Sequence, residues 1–318
     1  MAEVGCAGIL VADTFCGPMK ELPRAGQLLA VDDMPSSAGG CAANVAIDLA
    51  KQGVAVDVAG CVGRDAAAGI IESELRAHEV GCDAIVAVPG YPTSKTVILL
   101  VEGQDRRYIH TFGANAAFTV GHIRRDWLAG LRVLYLGGLF LMPGFRTQEL
   151  AELLTFCREQ GIVTVVDVVI PQQGGGMEEL APLLPLMDYF LPNTDEAHAL
   201  TGERDPKDQL RAFLAQGART VVVTCGASGC MAARGREVWQ AGAFPMPVVD
   251  PSGPGDAFDA GLITGILRGW ELPRLVTYAS ALGASAVRAV GTTQGVFTML
   301  EAEAFLAAHR LEISQTAL

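Results

Sequence analysis

A carboxylate that follows a glycine turn at the start of a helix is the residue of this sequence best suited to chemistry. Asp256 directly follows Gly253-Pro254-Gly255 and precedes a helical pattern at 257–267. The N–H groups at the beginning of a helix point outward with partial positive charge, so they can hold a phosphoryl oxygen. A carboxylate beside them can take a proton from an attacking hydroxyl. The segment therefore predicts phosphoryl transfer, with Asp256 as base and with Gly253 and Gly255 in a phosphate cradle. A simple glycine turn before a helix is the alternative.

A second group of residues, near the beginning of the chain, is suited to binding a polyol. Gly39 and Gly40 precede a helical pattern that contains Asn44, and the glycines let a small ligand approach the backbone closely. The Asn44 side chain offers both a donor and an acceptor. Asp13 follows the first predicted strand, where ligands of open α/β sheets bind, and its carboxylate can accept hydrogen bonds from neighbouring hydroxyls. We expect these residues to bind the acceptor, with a turn or helix cap as the alternative role for Asp13.

Strand-like and helical patterns alternate along most of the chain and must position these residues. Buried strands are predicted at 4–12, 54–62, 132–137, 163–168, 189–191 and 220–225, and helices at 42–52, 66–78, 148–160, 207–216 and 257–267. Such alternation indicates a doubly wound α/β fold, with a mostly parallel sheet flanked by helices. Two strand-like stretches, roughly 14–36 and 92–113, fall outside the alternation, and the second includes a hairpin turn at 103–106. We expect one domain over residues 1–318, with a small β lid formed by these stretches.

The composition argues against several other classes of protein. The 318 residues carry a formal net charge of −12, which disfavours nucleic acid and anionic membranes as partners. The apolar N-terminus lacks a basic region, and the apolar run at 131–143 is too short for a membrane span, so we expect a cytoplasmic protein. The 8 cysteines include no CxxC pair and are expected to be reduced thiols, mostly buried. No GxGxxG follows the first strand, which argues against a dinucleotide-dependent dehydrogenase. No histidine is adjacent in sequence to Ser36, Ser37 or Ser252, so a hydrolase triad has no support.

Together, and in their order along the chain, these segments resemble the PfkB (ribokinase-like) family of carbohydrate kinases over almost the whole sequence. The segment 39–44, with 60–69 downstream, is similar to the N-terminal signature of the family, and 250–261 is similar to its C-terminal signature, DTxGAGD. Pro251 stands where the family usually has Thr, and Pro254 stands where it usually has Ala. Because the phosphate cradle needs the flanking glycines, we expect Pro254 to be tolerated.

The resemblance also implies a nucleotide site and a metal site. The segment Asn193-Thr194-Asp195-Glu196 is similar to the NxxE motif of the family, in which Glu196 would organise Mg²⁺ through water beside the phosphates. A capping pattern at the start of a helix is the alternative. The segment 224–229 resembles the nucleotide-binding strand end and turn. The residues implied in nucleotide binding are Asn193, Thr224, Gly226, Gly229, Ser280 and Gly283.

Many members of the family bind a monovalent cation beside the phosphate cradle. The ligands implied here are Asp250 and Ser252, with the backbone carbonyls of Ala286, Ala289 and Gly291. The family often has an oxygen donor such as Ser at the position where Gly295 stands. The implied cofactors are therefore ATP and Mg²⁺, with K⁺ as a further candidate.

The function implied by the resemblance is transfer of the γ-phosphate of ATP to a hydroxyl of a sugar or sugar-like small molecule. Ribokinases carry a sugar-contacting acid after the strand that here ends near Leu136, whereas the segment 137–142 contains no acid, which weakens ribose as the acceptor. Two alternatives stay open: a nucleoside kinase of the adenosine type, and a catalytically silent protein that binds a sugar or nucleotide. The lid charges Lys95, Arg106 and Arg107 are expected mainly to face solvent. The lid strands have edges through which two copies of the chain could pair as a homodimer.

Overall fold

Two β-sheets organise the computed structural model of the chain, which describes residues 2–104, 106–171 and 175–318. The strands are β1 (Val4–Gly8), β2 (Val11–Met19), β3 (Ser36–Gly39), β4 (Val56–Val62), β5 (Gly81–Ala87), β6 (Lys95–Val101), β7 (Arg107–Thr111), β8 (Val133–Gly137), β9 (Val163–Val166), β10 (Tyr189–Phe190), β11 (Thr220–Thr224), β12 (Cys230–Arg234), β13 (Glu237–Ala241) and β14 (Ile313–Thr316). The larger sheet has ten strands in the order β14-β13-β12-β11-β10-β9-β8-β1-β4-β5, and the smaller has four in the order β3-β2-β6-β7.

The helices of the described residues include a closely packed pair beside the candidate site. They are α1 (Cys41–Lys51), α2 (Ala66–Ala77), α3 (Arg125–Leu128), α4 (Thr147–Glu159), α5 (Met177–Leu180), α6 (Thr194–Thr201), α7 (Pro206–Ala215), α8 (Pro254–Leu267), α9 (Leu272–Ala286) and α10 (Met299–Ala308). Helix α8 packs against both α9 and α1. A Cβ atom at Gly261 would lie 2.7 Å from the Cα of Ala279, so this glycine permits the close approach of α8 and α9.

The larger sheet confirms the predicted α/β fold with a mostly parallel sheet. Strand β1 pairs in parallel with β4 and with β8, and the parallel pairing continues from β8 through β9 and β10 to β11. Every residue of β1 and of β8 is buried, as expected for strands covered by helices on both faces. Strands β12, β13 and β14 extend the sheet in antiparallel fashion. The carboxyl ends of the parallel strands therefore open on one edge of the sheet, where α1 and α6 begin.

The smaller sheet contains strands from both predicted lid stretches and is called the lid sheet below. Strands β6 and β7 match the predicted hairpin, whose turn residue Asp105 lies outside the described residues. The predicted strand bounds near the N-terminus were wrong. Strand β1 ends at Gly8, and β2 begins at Val11 because residues 12–16 pair with β6. Asp13 consequently lies within a lid strand. Most of residues 20–35 adopt turns and irregular backbone instead of strand.

The interior is apolar and holds most of the cysteines. All eight cysteines lie within the described residues and carry free thiols, with Cys16 and Cys225 half-buried and the others buried. Burial raises the pKa of Cys61 and of Cys230 to about 12, so these thiols stay protonated and behave as apolar groups. Along the described ranges of the chain, we find no helix with both the length and the apolar character needed to cross a membrane.

Candidate active site at the start of helix α8

The turn before helix α8, which was predicted to hold phosphate, begins with a glycine in the left-handed region. Gly253 is the N-cap residue, with φ 87°, and a Cβ atom there would lie 2.0 Å from the carbonyl oxygen of Thr292. Only glycine fits this position without a shift of the backbone. Pro254 occupies the first helical position, where a fixed φ is favourable and a missing N–H costs nothing. The N–H groups of Gly255 and Asp256 have no acceptor within the helix, so they can bind an anion.

The structure brings Asp256 and Asn44 into direct contact. Asn44 Nδ2 donates a hydrogen bond of 2.8 Å to Asp256 Oδ2. The other end of the Asn44 amide, Oδ1, accepts a hydrogen bond of 2.8 Å from the hydroxyl of Thr292. Because Asn44 is only 3% exposed and has a partner on each side, its orientation is fixed. The two sequence segments predicted to bind acceptor and phosphate therefore meet at one carboxylate.

Two residues that the sequence patterns did not single out complete the surroundings of Asp256. The Sγ atom of Cys41 and one carboxylate oxygen each of Asp167 and Asp256 all lie within 4.8 Å of one another. Cys41 is the first residue of α1, and Asp167 directly follows β9 at the carboxyl edge of the sheet. Burial, and then the negative charge of Asp256 and Asp167, raises the pKa of the Cys41 thiol well above its ordinary value. The thiol therefore stays protonated and can donate a hydrogen bond to Asp256.

Burial and mutual repulsion dominate the electrostatics of the site. Burial raises the pKa of Asp256, and hydrogen bonds from Asn44 and Cys41 oppose this effect. Burial and then neighbouring carboxylates raise the pKa of Asp167 and of Asp259 well above the usual range. The pKa of Glu196 rises to about 7 for the same reasons, despite hydrogen bonds from Asn193. Within the described ranges, none of these carboxylates has an ion pair with a lysine or arginine. The site therefore needs positive charge from a ligand.

The predicted acceptor residues lie on the lid sheet and at the start of α1. The carboxylate of Asp13 lies directly against Gly39, where a Cβ atom would be 1.9 Å from Asp13 Oδ2. Gly40 caps α1 with φ 85°, and Glu74 holds the neighbouring backbone by accepting a hydrogen bond of 2.5 Å from the N–H of Ala38. Asp13 is 6% exposed, and burial raises its pKa to about 7, partly offset by a hydrogen bond from Thr96. The negative charge of Asp256 is among the causes that raise this pKa, so the two carboxylates are close enough to interact electrostatically.

The residues predicted to bind nucleotide fall into two groups. Asn193 and Thr224 form an isolated parallel β-bridge. The short helical turn at Gly226–Ser228 begins two residues after Thr224. Gly229 has φ 92°, and a Cβ atom there would meet the carbonyl oxygen of Ala241 at 2.0 Å. Ser280 and Gly283 lie in α9, where a Cβ atom at Gly283 would be 3.0 Å from the carbonyl oxygen of Pro254. Gly283 is therefore adjacent to the phosphate cradle, whereas a hydrogen bond links Ser280 to the Cys230 thiol of β12.

Glu196 forms a capping box at the start of α6. The Asn193 side chain accepts hydrogen bonds of 2.9 Å from the N–H groups of Asp195 and Glu196, and Glu196 Oε2 accepts one of 2.9 Å from the Asn193 N–H. The structure thus contains the capping arrangement that the sequence pattern allowed. The negative charge of Asp256 is among the causes that raise the pKa of Glu196, so the two carboxylates lie close enough to interact electrostatically.

Two of the candidate monovalent-cation residues, Ser252 and Gly291, are hydrogen-bonded to Asp250. Its Oδ1 accepts a hydrogen bond of 2.9 Å from the Ser252 N–H, and its Oδ2 accepts one of 2.9 Å from the Gly291 N–H. The Ser252 hydroxyl is buried without a hydrogen-bond partner among the described residues, which suits a cation ligand. The carbonyl of Ala286 faces Gly295, where a Cβ atom would lie 2.3 Å from it. Ala289 is a candidate cation ligand on the basis of the sequence resemblance alone.

A buried tyrosine and a second acid lie beneath Asp256. The Tyr135 hydroxyl donates a hydrogen bond of 3.0 Å to Asp259 Oδ2, and both side chains are buried. Asp259 falls one helical turn after Asp256, on the same side of α8, so its spacing was a usable signal. Asp167 also had a usable signal, because it is an acid near the carboxyl end of the buried strand predicted at 163–168. Cys41 had none, since a cysteine inside an apolar helical pattern most often indicates only burial.

Comparisons with known proteins identify a family for the chain and support its fold. The profile of the family described as pfkB family carbohydrate kinase matches residues 1–298. The chain is 28% identical over 300 residues to the 2-dehydro-3-deoxygluconokinase of Bacillus subtilis, covering 90% of this chain and 91% of the relative. It is 25% identical over 262 residues to the ATP-dependent 6-phosphofructokinase of Thermoanaerobacterium thermosaccharolyticum, covering 80% of each chain. A crystal structure of a putative Ribokinase II from E. coli, in complex with ATP and Mg²⁺, superposes with a TM-score of 0.83 at 22% identity, over 97% of this chain and 100% of that one.

Proposed function

The chain belongs to the pfkB family of carbohydrate kinases, and on that premise we propose that it transfers the γ-phosphate of ATP to a hydroxyl of a sugar or sugar-like acceptor. The observation that carries this proposal is the hydrogen bond between Asn44 and Asp256 at the first turn of α8. In this proposal the carboxylate that Asn44 holds lies between the acceptor, bound by the residues of the lid sheet, and the phosphoryl group, bound by the N–H groups of the cradle. A kinase of this kind has to bring an attacking hydroxyl and a phosphoryl group together at such a position.

Asp256 acts as the general base in this proposal. Its carboxylate takes the proton from the attacking hydroxyl as the new oxygen–phosphorus bond forms and the bond between the γ-phosphorus and the bridging oxygen breaks, releasing ADP. Asn44 and Cys41 hold the carboxylate by hydrogen bonds. A pKa raised by burial brings the carboxylate closer in basicity to the hydroxyl that it must deprotonate. Asp13 orients the acceptor by accepting hydrogen bonds from neighbouring hydroxyls.

The start of α8 stabilises the charge that develops on the transferring phosphoryl group. The N–H groups of Gly255 and Asp256 point to the space in front of the helix, and the helix dipole adds to their effect. A Cβ atom at Gly255 would have no neighbour within 4 Å, so this space is open. A phosphoryl oxygen can approach the backbone there without displacing any side chain.

Magnesium fits the carboxylates around the cradle. Asp167 and Glu196, which both interact electrostatically with Asp256, offer hard oxygen ligands, directly or through water, whereas the Cys41 thiol is too soft to serve Mg²⁺. Bound with ATP, Mg²⁺ supplies the positive charge that neutralises the phosphates. Among the described residues, these acids form no ion pair with a basic side chain, which supports Mg²⁺ as the source of positive charge at the site.

A monovalent cation such as K⁺ fits Asp250 and its neighbours. The Ser252 hydroxyl, buried without a partner among the described residues, and the Asp250 carboxylate are hard oxygen donors directly before the cradle. A cation there would add positive charge behind Gly253 and strengthen the electrostatic effect of the cradle.

The outer face of the lid sheet supports a homodimer as the state in which the protein works. Val97 and Ile109 are paired across β6 and β7 and are 37% and 62% exposed, and Leu28 and Met34, close in sequence to the lid strands, are 91% and 56% exposed. Apolar side chains of this kind beside open strand edges favour pairing with another copy. Light scattering of the purified chain tests this directly: a mass close to that of one chain would contradict it.

A substrate panel with ATP and Mg²⁺ tests the proposed function. Release of ADP is measured with neutral sugars, amino sugars, sugar acids, sugar phosphates and nucleosides, with and without K⁺. Turnover with a sugar or sugar derivative supports the proposal, and a preference for adenosine over every sugar would favour the nucleoside kinase instead. Binding of ATP without turnover of any acceptor would favour a silent binding protein, against which the intact Asp256–Asn44 pair argues.

A further inference from the structure

A short segment between α9 and α10 lies against two parts of the candidate active site. It comprises residues 291–297 and is called the backing segment below. The Thr292 hydroxyl donates a hydrogen bond of 2.8 Å to Asn44, the residue that holds the proposed base. The Thr292 carbonyl oxygen lies directly behind Gly253, where a Cβ atom would be 2.0 Å from it. A shift of Thr292 would therefore move the partner of the base and the first residue of the phosphate cradle together.

The backing segment also contacts the acid that precedes the cradle. The N–H of Gly291 donates a hydrogen bond of 2.9 Å to Asp250 Oδ2. The segment itself consists of bends, a turn and irregular backbone, with neither helix nor strand. Its position is therefore set largely by groups that other elements direct towards it, because no ladder of backbone hydrogen bonds holds it.

Helix α1 holds the backing segment by side chains at its C-terminal end. Lys51, the last residue of α1, donates a hydrogen bond from Nζ to the carbonyl oxygen of Thr293. Gln52, the next residue, donates one of 2.7 Å from Nε2 to the carbonyl oxygen of Phe297. Thr293 directly follows Thr292, whereas Phe297 lies at the far end of the segment. Lys51 is thus the contact that bears on the part of the segment nearest to the active site.

A buried acid fixes the position of the Lys51 ammonium group. Asp48 lies about one helical turn before Lys51, and its Oδ1 is 3.8 Å from Lys51 Nζ, with the two side chains 0% and 15% exposed. Both carboxylate oxygens of Asp48 are buried and have no hydrogen-bond partner among the described residues. A buried carboxylate of this kind is strongly unfavourable unless a charge of opposite sign lies beside it. Asp48 therefore serves as the anchor of Lys51.

A short series of contacts connects Lys51 to the proposed base. Lys51 bonds to Thr293, which directly follows Thr292. Thr292 in turn bonds to Asn44, and Asn44 bonds to Asp256. Lys51 can therefore affect the carboxylate through the backing segment, from behind the site.

We propose that Lys51 is a positioning residue for phosphoryl transfer. Anchored by Asp48, it holds the carbonyl of Thr293, and with it keeps Thr292 where Asn44 and the cradle need it. This inference rests on the proposed kinase function. A base and a cradle displaced by a fraction of an ångström lose stabilisation of the transition state, whereas the acceptor and ATP still bind through their other contacts.

Kinetics of Lys51 variants test the inference. Lys51→Met removes the donor and keeps most of the apolar stem. With ATP, Mg²⁺ and the best acceptor of the substrate panel, we expect kcat to fall about tenfold, and KM for the acceptor and the affinity for ATP to change less than about threefold. Lys51→Arg keeps a charged donor and should restore most of kcat. An unchanged kcat in Lys51→Met, or no gain in Lys51→Arg over Lys51→Met, would overturn the inference. Absence of turnover in the wild type with every acceptor would count against the kinase function, and the inference would fall with it.

A double variant separates positioning from stability. Lys51→Met leaves Asp48 buried without its ion pair, so the melting temperature should fall. Combining it with Asp48→Leu removes the buried charge and should recover most of the wild-type melting temperature. The value of kcat should nevertheless stay about tenfold low, because Thr293 still lacks its donor. Recovery of kcat together with the melting temperature would reduce Lys51 to a stabilising role and overturn the inference.

Gln52→Met provides the matched control at the other end of the backing segment. It removes the donor to Phe297 and the acceptor of the hydrogen bond from the Tyr278 hydroxyl, so the melting temperature should fall. The value of kcat should stay within about twofold of the wild type, because Lys51 still holds Thr293. An equal loss of kcat in Gln52→Met and Lys51→Met would contradict a specific role for Lys51.

Discussion

Asn44 Nδ2 and Asp256 Oδ2 are joined by a hydrogen bond of 2.8 Å that links two residues 212 positions apart in the chain. The bond connects α1, which follows the lid sheet, to α8, which begins with the phosphate cradle. It is supported by Thr292, whose hydroxyl donates to Asn44 Oδ1 at 2.8 Å. Asn44 therefore fixes the direction of the Asp256 carboxylate and also favours its charged form.

Replacing Asn44 should shift the pH dependence of the reaction. Asn44→Asp removes the donor and adds a like charge, and both changes raise the pKa of Asp256 further. Because Asp256 must be ionised to act as base, the acid limb of the kcat/KM profile should move to higher pH by about one unit or more. Asn44→Ala removes only the donor, so its shift should have the same direction and be smaller. Profiles measured from pH 5 to 9 decide this, and a limb that does not move in Asn44→Asp would exclude Asp256 as the titrating base.

The two glycines of the cradle should respond differently to alanine. Gly255 faces open space and has no positive φ, so Gly255→Ala should keep the melting temperature of the wild type while its methyl group obstructs the phosphoryl oxygen. We expect kcat/KM to fall about 10²-fold, since a misplacement of about 1 Å at the reacting centre has such an effect.

Gly253→Ala serves as the contrast. A Cβ atom at this position would lie 2.0 Å from the Thr292 carbonyl oxygen, and φ is 87°, so this variant should lose both thermal stability and activity. Thermal unfolding and kinetics of both variants separate the two effects. Full activity in Gly255→Ala would mean that the phosphate does not approach this part of the helix.

Cys41 should act as a positioning residue for Asp256. Its thiol stays protonated beside the carboxylates, so it donates a hydrogen bond that a serine hydroxyl can replace and that alanine cannot. We expect Cys41→Ala to lower kcat/KM roughly 3- to 10-fold, the size of one ordinary hydrogen bond, and to shift the acid limb upward. Cys41→Ser should restore most of the rate and the wild-type limb. Equal behaviour of the two variants would reduce Cys41 to a packing role.

Asp13 should lower the stability of the protein at alkaline pH. Burial raises its pKa to about 7 from an ordinary value of 3.8, so the folded chain holds this proton more tightly than the unfolded chain. The contribution of Asp13 to stability is therefore full below about pH 4 and is lost as the pH rises towards about 7. Asp13→Asn should raise the free energy of unfolding at pH 8 and weaken its decline between pH 5 and 8, as measured by urea titration.

Asp65 should contribute to folding stability with the opposite pH dependence. It caps α2 and accepts hydrogen bonds from Thr93 and Ala68, which hold its pKa below the ordinary value. Its contribution is present above about pH 4 and is lost as the pH falls, so Asp65→Asn should destabilise the protein at pH 8. If Asp13→Asn also destabilised the protein at pH 8, the carboxylate of Asp13 would have to be stabilised by a contact not evident in its surroundings.

Local patterns in the sequence were sufficient to predict the parallel strands of the larger sheet. They were also sufficient to predict the glycine turns before α8 and α1. The glycine turn before α8 and the paired glycines before α1 are evident from neighbouring residues, because both use backbone conformations that few other residues adopt. The buried parallel strands are continuous apolar runs, which the composition of 133–137 or 220–224 makes plain.

The remaining features depend on pairing between distant segments. Asp13 was assigned to the end of the first strand, whereas it lies inside β2, since pairing with β6 some 80 positions later sets the strand bounds. Strand register likewise brings Ser37, Thr96 and His110 into line with Asp13, and no local pattern contains these residues together. Asp167 and Cys41 approach Asp256 through the packing of α1 against the larger sheet and against α8. Spacing along the chain carries no information about such contacts.

The proposal that Asp256 is the catalytic base is tested most directly by Asp256→Asn, which preserves shape and the possibility of hydrogen bonding to Asn44 while removing the proton acceptor. Turnover is measured as ADP release with the best acceptor, ATP and Mg²⁺, alongside ATP affinity by calorimetry. We predict that kcat falls by about 10²- to 10⁴-fold, with ATP affinity close to that of the wild type. Turnover within a few-fold of the wild type would contradict the assignment of Asp256 as the base.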